Sequence, residues 1–87
     1  MYITVLNIQH QQVDNQFEVI MNIGNKQESY CVQIDEINGI TCINFETKFK
    51  KYLMKNADKN KLMTTIVMNF YKSNQVDFPV ELGEFKI

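Results

Sequence analysis

The chain predicts an α+β domain over residues 1–87: an antiparallel meander of four strands, two helices packed on one face of it, and a C-terminal edge strand, in the order ββββααβ. Three observations carry this. Two short turns, at Gly24-Asn25-Lys26-Gln27 and at Asn38-Gly39, fold three alternating segments so that their large apolar side chains share one face. From Phe45 the apolar period lengthens to that of a helix, and after Val76 it returns to two.

The first strand is expected over about residues 2–10. Tyr2, Thr4, Leu6 and Ile8 lie on one of its faces, Ile3 and Val5 on the other. The polar run from His10 to Gln16 is a loop. A turn at Asp14-Asn15 sets Leu6 opposite Ile23 and Ile8 opposite Met21, which sends the larger set, Tyr2, Thr4, Leu6 and Ile8, inward. Strands two and three are expected over about 16–24 and 27–36. Centring their turn on Asn25-Lys26 places Met21 opposite Tyr30, Val19 opposite Val32 and Phe17 opposite Ile34. Asn38-Gly39 tolerates the positive φ angles of a tight primed turn, and sets Ile34 opposite Ile43 and Val32 opposite Phe45 in a fourth strand over 40–45. The expected inward face is Phe17, Val19, Met21, Tyr30, Val32 and Ile34. The expected outward face includes Ile3, Val5, Ile20 and Cys31.

Phe49, Tyr52 and Leu53 continue from Phe45 at helical spacing to about residue 55. The polar stretch from Asn56 to Asn60 breaks the helix, with Asp58 as the expected N-cap of a second one. That helix runs over about 59–73, with Leu62, Met63, Ile66, Val67 and Phe70 in one stripe. In the tail, Val76, Phe78, Val80 and Leu82 alternate with Asp77, Pro79 and Glu81. Pro79 lacks a ladder donor and assigns this segment to a sheet edge. After Gly83 the apolar parity passes to Phe85 and Ile87, as a bulge at the glycine would cause.

A chain of 87 residues holds one core and buries roughly 60 to 65% of its unfolded surface. Its 45% hydrophobic and 22% charged residues exclude a disordered or fibrous class. No segment approaches the roughly 20 apolar residues of a membrane helix, and residues 1–15 show no basic region followed by an apolar run, so no membrane role is expected and the cytoplasm is the expected location. Cys42 falls opposite Asp35, roughly 13 Å along the sheet from Cys31, too far for a disulfide. Two reduced thiols agree with that location.

The net charge of −1 conceals a segregation. Residues 1–45 carry one Lys against five acids, residues 46–72 carry seven Lys against Glu46 and Asp58, and residues 73–87 carry one Lys against three acids. Every basic residue is Lys, which removes the planar fork that guanine and phosphate recognition favour.

Catalysis finds little support. His10 is the single histidine, and the three glycines form no phosphate-cradling loop. Asp35 and Glu36 are adjacent on a strand and point to opposite faces, so they do not converge as an acid/base pair. One His and two separated Cys offer no metal-ligand spacing. The expectation is therefore a protein without enzymatic activity, cofactor or metal. Two surfaces are left for function. Helical projection places Met54 and Met68 away from the apolar stripes of their helices, beside Lys51 and Lys55 in one case and Lys61 and Lys72 in the other, an adaptable contact surface. The outward sheet residues Ile3, Val5 and Ile20 form a second apolar patch. Together they predict a small protein-binding or regulatory protein of adaptor or inhibitor type, as a homodimer or with another protein partner. The alternative is a nucleic-acid-associated protein in which Lys48, Lys51, Lys55, Lys59 and Lys61 track phosphates. A solvated helix flank would look the same in sequence.

Overall fold

The computed structural model describes residues 1–73 and 75–86. The chain order is β1 (Tyr2–His10), β2 (Gln16–Ile23), β3 (Lys26–Ile37), β4 (Ile40–Phe45), α1 (Thr47–Met54), α2 (Ala57–Ser73) and β5 (Val80–Glu84). The five strands form one antiparallel sheet in the order β4-β3-β2-β1-β5. This is the expected ββββααβ arrangement, and it places β5 beside β1.

Turn chemistry sets the registers. Asn38 at φ 53° and Gly39 at φ 79° form the primed turn, pairing Ile34 with Ile43, Val32 with Phe45 and Asp35 with Cys42, as expected. Cys31 and Cys42 are both free thiols. The β2–β3 turn differs. It is centred on Gly24-Asn25, with Gly24 at φ 60°, and pairs Met21 with Glu28, Val19 with Tyr30 and Phe17 with Val32. Glycine supplies the positive φ at the first central position, which drew the turn one residue back and the register two residues over. A two-residue shift preserves side-chain parity, so every predicted inward residue of β2 and β3 remains inward.

The β1–β2 register corrects a larger expectation. Ile3 pairs with Ile23 and Val5 with Met21, a bulge falls at Leu6, and Ile8 then pairs with Val19. The bulge reverses parity partway along the strand. Ile3 and Val5 therefore point inward with 0% exposure, and Ile8 is buried too, whereas of the other residues expected inward Thr4 and Leu6 are only half-buried and Tyr2 is exposed. A second register shift lies at Leu82-Gly83, with Gly83 at φ 95°, and it allows both Leu82 and Phe85 to enter the core. This is the bulge expected at the glycine; Ile87, expected inward with Phe85, lies outside the described residues. The edge strand itself starts at Val80, later than expected, because Val76 and Phe78 reach the core margin from an irregular segment.

Both helices cover the inward face. Phe49 and Leu53 of α1 are buried, as are Met63, Ile66, Val67 and Phe70 of α2, while Leu62 at the edge of the stripe is exposed. Phe49 stacks on Tyr30 at 5.3 Å and meets Phe45 at 5.9 Å, which seats α1 over β3 and β4. Phe70 meets Phe17 edge-on at 5.8 Å and His10 at 5.4 Å, which seats the end of α2 over the β1–β2 end. Helix α2 begins at Ala57, so Asn56, not Asp58, precedes it. Lys59 N and Asn60 N donate to the Asn56 carbonyl, and Asp58 lies in the first turn. Among the described residues, the opposite face of the sheet carries no helix.

Candidate functional site

Met54 and Met68 come from different helices and meet at one place. Together with Ile43 and Phe45 of β4 and Leu53 of α1 they line a cleft of about 480 Å³ along the outer edge of β4. Thr41, Asn44, Lys50, Asn60 and Thr64 complete it. Met54 is 78% exposed, and Met68 is half-buried. Spacing explains the meeting. Met54 lies four residues beyond Lys50, and Met68 four beyond Thr64, so each helix offers one short row of side chains to the cleft. Lys50 is the single charged side chain in the lining, and no carboxylate is among the lining residues.

The edge of β4 above this cleft is open. Among the described residues β4 pairs with β3 alone. In a hairpin with a two-residue turn the flanking residues Ile37 and Ile40 form a hydrogen-bonded pair, and such pairs recur at every second residue. Residues 40, 42 and 44 therefore bond to β3; the bond from Glu46 N to Cys31 O, at 3.0 Å, continues the same series. The backbone N–H and C=O groups of Thr41, Ile43 and Phe45 point away from the sheet. Their side chains face the helical layer and line the cleft. The strand Ile40-Thr41-Cys42-Ile43-Asn44-Phe45 contains no charge and no proline, the devices that ordinarily protect a sheet edge. The hairpin tip beside it is apolar, with Ile37 59% and Ile40 65% exposed.

The lysines divide. Lys48, Lys51 and Lys55 line a second cleft, of about 410 Å³, on the other flank of α1, with Tyr30, Tyr52 and Glu28. Tyr30 donates its hydroxyl to the Glu28 carboxylate. Burial first, and then this bond to a carboxylate, push the Tyr30 hydroxyl well above the usual tyrosine range. Lys59 belongs to the scaffold: its ammonium donates to Leu82 O at 2.6 Å, under Gly83, where a Cβ would lie 2.9 Å from Nζ. Lys61 is exposed on α2, seven residues before Met68 and on the Met68 side of the helix. The five lysines thus form no continuous track.

Of the outer-face residues, Ile3 and Val5 are removed from any surface by their burial, while Ile20 and Cys31 stay half-buried on the uncovered side of the sheet. Sequence reasoning missed the β4 edge, although the uncharged run 40–45 was visible. The described residues contain no group of three or more His, Cys, Asp or Glu side chains placed to hold a metal ion. Every buried side-chain polar atom among them has a hydrogen-bond partner. No helix among them is long and apolar enough to cross a membrane. No protein-family profile matches this chain, and no curated protein matches it.

Proposed function

We propose that this protein is a non-enzymatic protein-binding domain, of adaptor or inhibitor type, whose docking surface is the cleft along β4. The observation that carries this is that Met54 and Met68 line one cleft beside the uncharged strand β4, whose edge away from β3 is open among the described residues. Methionine adapts its shape to a partner, and a strand edge supplies directional hydrogen bonds. Lys59 and Asn56, by contrast, are engaged in holding the fold.

The test is affinity capture from a lysate of the native source, comparing the unaltered chain with Met54→Glu/Met68→Glu. Circular dichroism establishes that the variant is folded. A partner held by the unaltered chain and lost by the variant supports the reading. A partner held equally by both overturns it, as does a partner lost only when Ile20 on the open sheet face is replaced by Glu.

A nucleic-acid reading draws on one observation, the grouping of Lys48, Lys51 and Lys55 with the rings of Tyr30 and Tyr52. The Glu28 carboxylate in the same cleft works against a phosphate. Titration with DNA and RNA at low and high salt separates the two readings, because phosphate binding weakens steeply with salt.

A further inference from the structure

We infer that the occupant of the β4 edge is an extended segment of another protein, which adds a sixth strand to the sheet, places an apolar side chain in the Met54/Met68 cleft and sets a carboxylate against Lys50. The inference rests on the protein-binding reading above and specifies the partner's chemistry.

Three features converge on an extended chain. Thr41, Ile43 and Phe45 offer N–H and C=O groups at the two-residue repeat of a strand, which only another extended backbone matches. Alternate side chains of such a strand fall on the helix side of the sheet, directly over the cleft lined by Ile43, Phe45, Leu53, Met54 and Met68. The other side chains fall on the uncovered side, where the sheet carries no helix to obstruct them.

Charge selects between a foreign segment and a second copy. Lys50 is the one charged residue in the lining, and α1 (Thr47–Met54) carries three lysines and no acid, its N-cap Glu46 lying outside the cleft lining. A second copy joined edge to edge would bring its own helical layer and an uncharged β4, which offers Lys50 no carboxylate. A foreign strand needs no helical layer, and a carboxylate in it at the Phe45 end meets the Lys50 ammonium. The expected pattern is two apolar residues separated by one residue, with an acidic residue next in the same alternation.

The test is selection of peptides of about ten residues from a random display library on the full chain, followed by NMR of the chain with an enriched peptide. The expected outcome is that alternating apolar and acidic sequences are enriched, and that the peptide slows exchange of the Thr41, Ile43 and Phe45 amides. Methylating the peptide nitrogens that face β4 lowers affinity about tenfold or more, and Lys50→Glu does so about tenfold. A peptide that shifts the Met54 and Met68 methyl signals without protecting those amides overturns strand addition and leaves the protein-binding reading intact. Unchanged affinity for Lys50→Glu overturns the carboxylate. A chain that enriches no peptide overturns the foreign segment; sedimentation as a dimer with protected β4 amides then assigns the edge to a second copy. The Met54→Glu/Met68→Glu capture experiment decides the broader reading separately.

Discussion

The Asn56 carboxamide and the Lys86 peptide group face each other as neighbouring strands would: Asn56 Nδ2 donates to Lys86 O at 3.0 Å, and Lys86 N donates to Asn56 Oδ1 at 2.8 Å. The second amide hydrogen of Asn56 goes to Tyr52 O at 2.8 Å. One buried side chain therefore joins the end of α1, the start of α2 and the segment after β5.

Replacing Asn56 with Ala leaves the Lys86 and Tyr52 backbone groups without these partners. Leaving such groups unpaired costs about 1 to 3 kcal/mol, and urea unfolding should show a loss in that range. Asn56→Asp should be no better, because a carboxylate cannot donate to either carbonyl. A change under about 0.5 kcal/mol, the level of an ordinary surface substitution, would show that the junction does not depend on the carboxamide.

Ile3 and Met54 should respond in opposite ways to truncation. Ile3→Ala empties a fully enclosed site and should cost about 2 to 5 kcal/mol. Met54→Ala removes a side chain that is mostly in solvent and should fall within about 0.5 kcal/mol. Chemical denaturation of both variants checks the inward parity of the first half of β1; similar values for the two would contradict it.

Proline substitution along β4 reports which way each backbone group points. Thr41→Pro removes an N–H that β3 does not use, and should be tolerated at about 1 kcal/mol. Cys42→Pro removes a ladder donor opposite Asp35 and should cost about 3 kcal/mol or more. The reverse ranking in thermal melts would place the hydrogen-bonding edge on the other set of residues.

Alkaline pH should weaken the fold through Tyr30. Its folded-state pKa is raised above the ordinary value of 10.0 by burial and by the Glu28 bond, so the folded chain holds the proton more tightly than the unfolded chain does. Stability from this group is present in full below pH 10.0 and declines as pH rises above it. Tyr30→Phe should flatten that decline in denaturation curves recorded across the range. Tyr2 and Tyr71 are displaced in the same direction, burial again the leading cause, so part of the slope will remain. An identical slope in Tyr30→Phe would assign the whole effect to other groups.

Alternation revealed faces but not registers. The β2–β3 pairing is two residues from the position that Asn25-Lys26 suggests, yet Val19, Met21, Tyr30 and Val32 all kept their side, because the side-chain period is also two. Ile3 and Val5 were misplaced for a different reason: the parity of β1 reverses at Leu6, and no glycine or proline marks that bulge, whereas Gly83 marks the one in β5. At the cleft, helical spacing put Met54 on the exposed side of α1, whereas Met68 is half-buried, and the lysine that shares the cleft with Met54 is Lys50 and not Lys51 or Lys55, which line the other flank. That both methionines reach the free side of β4 depends on how α1 and α2 cross the sheet, a property of tertiary packing. Lys59 looked like its neighbours in sequence, and only the fold brings Leu82 O to its ammonium.

The pairing of β1 with β5 differs from the others in sequence separation. Each pairing within the meander closes through a short connection, but Val5 and Val80 are joined by almost the whole chain. Closing a loop of that length carries a chain-entropy term of about 4 kcal/mol, repaid only once the meander and helices have built the surface against which Leu82 and Phe85 pack. Were β5 to detach, a second free edge would be uncovered on β1, at the opposite side of the sheet from β4.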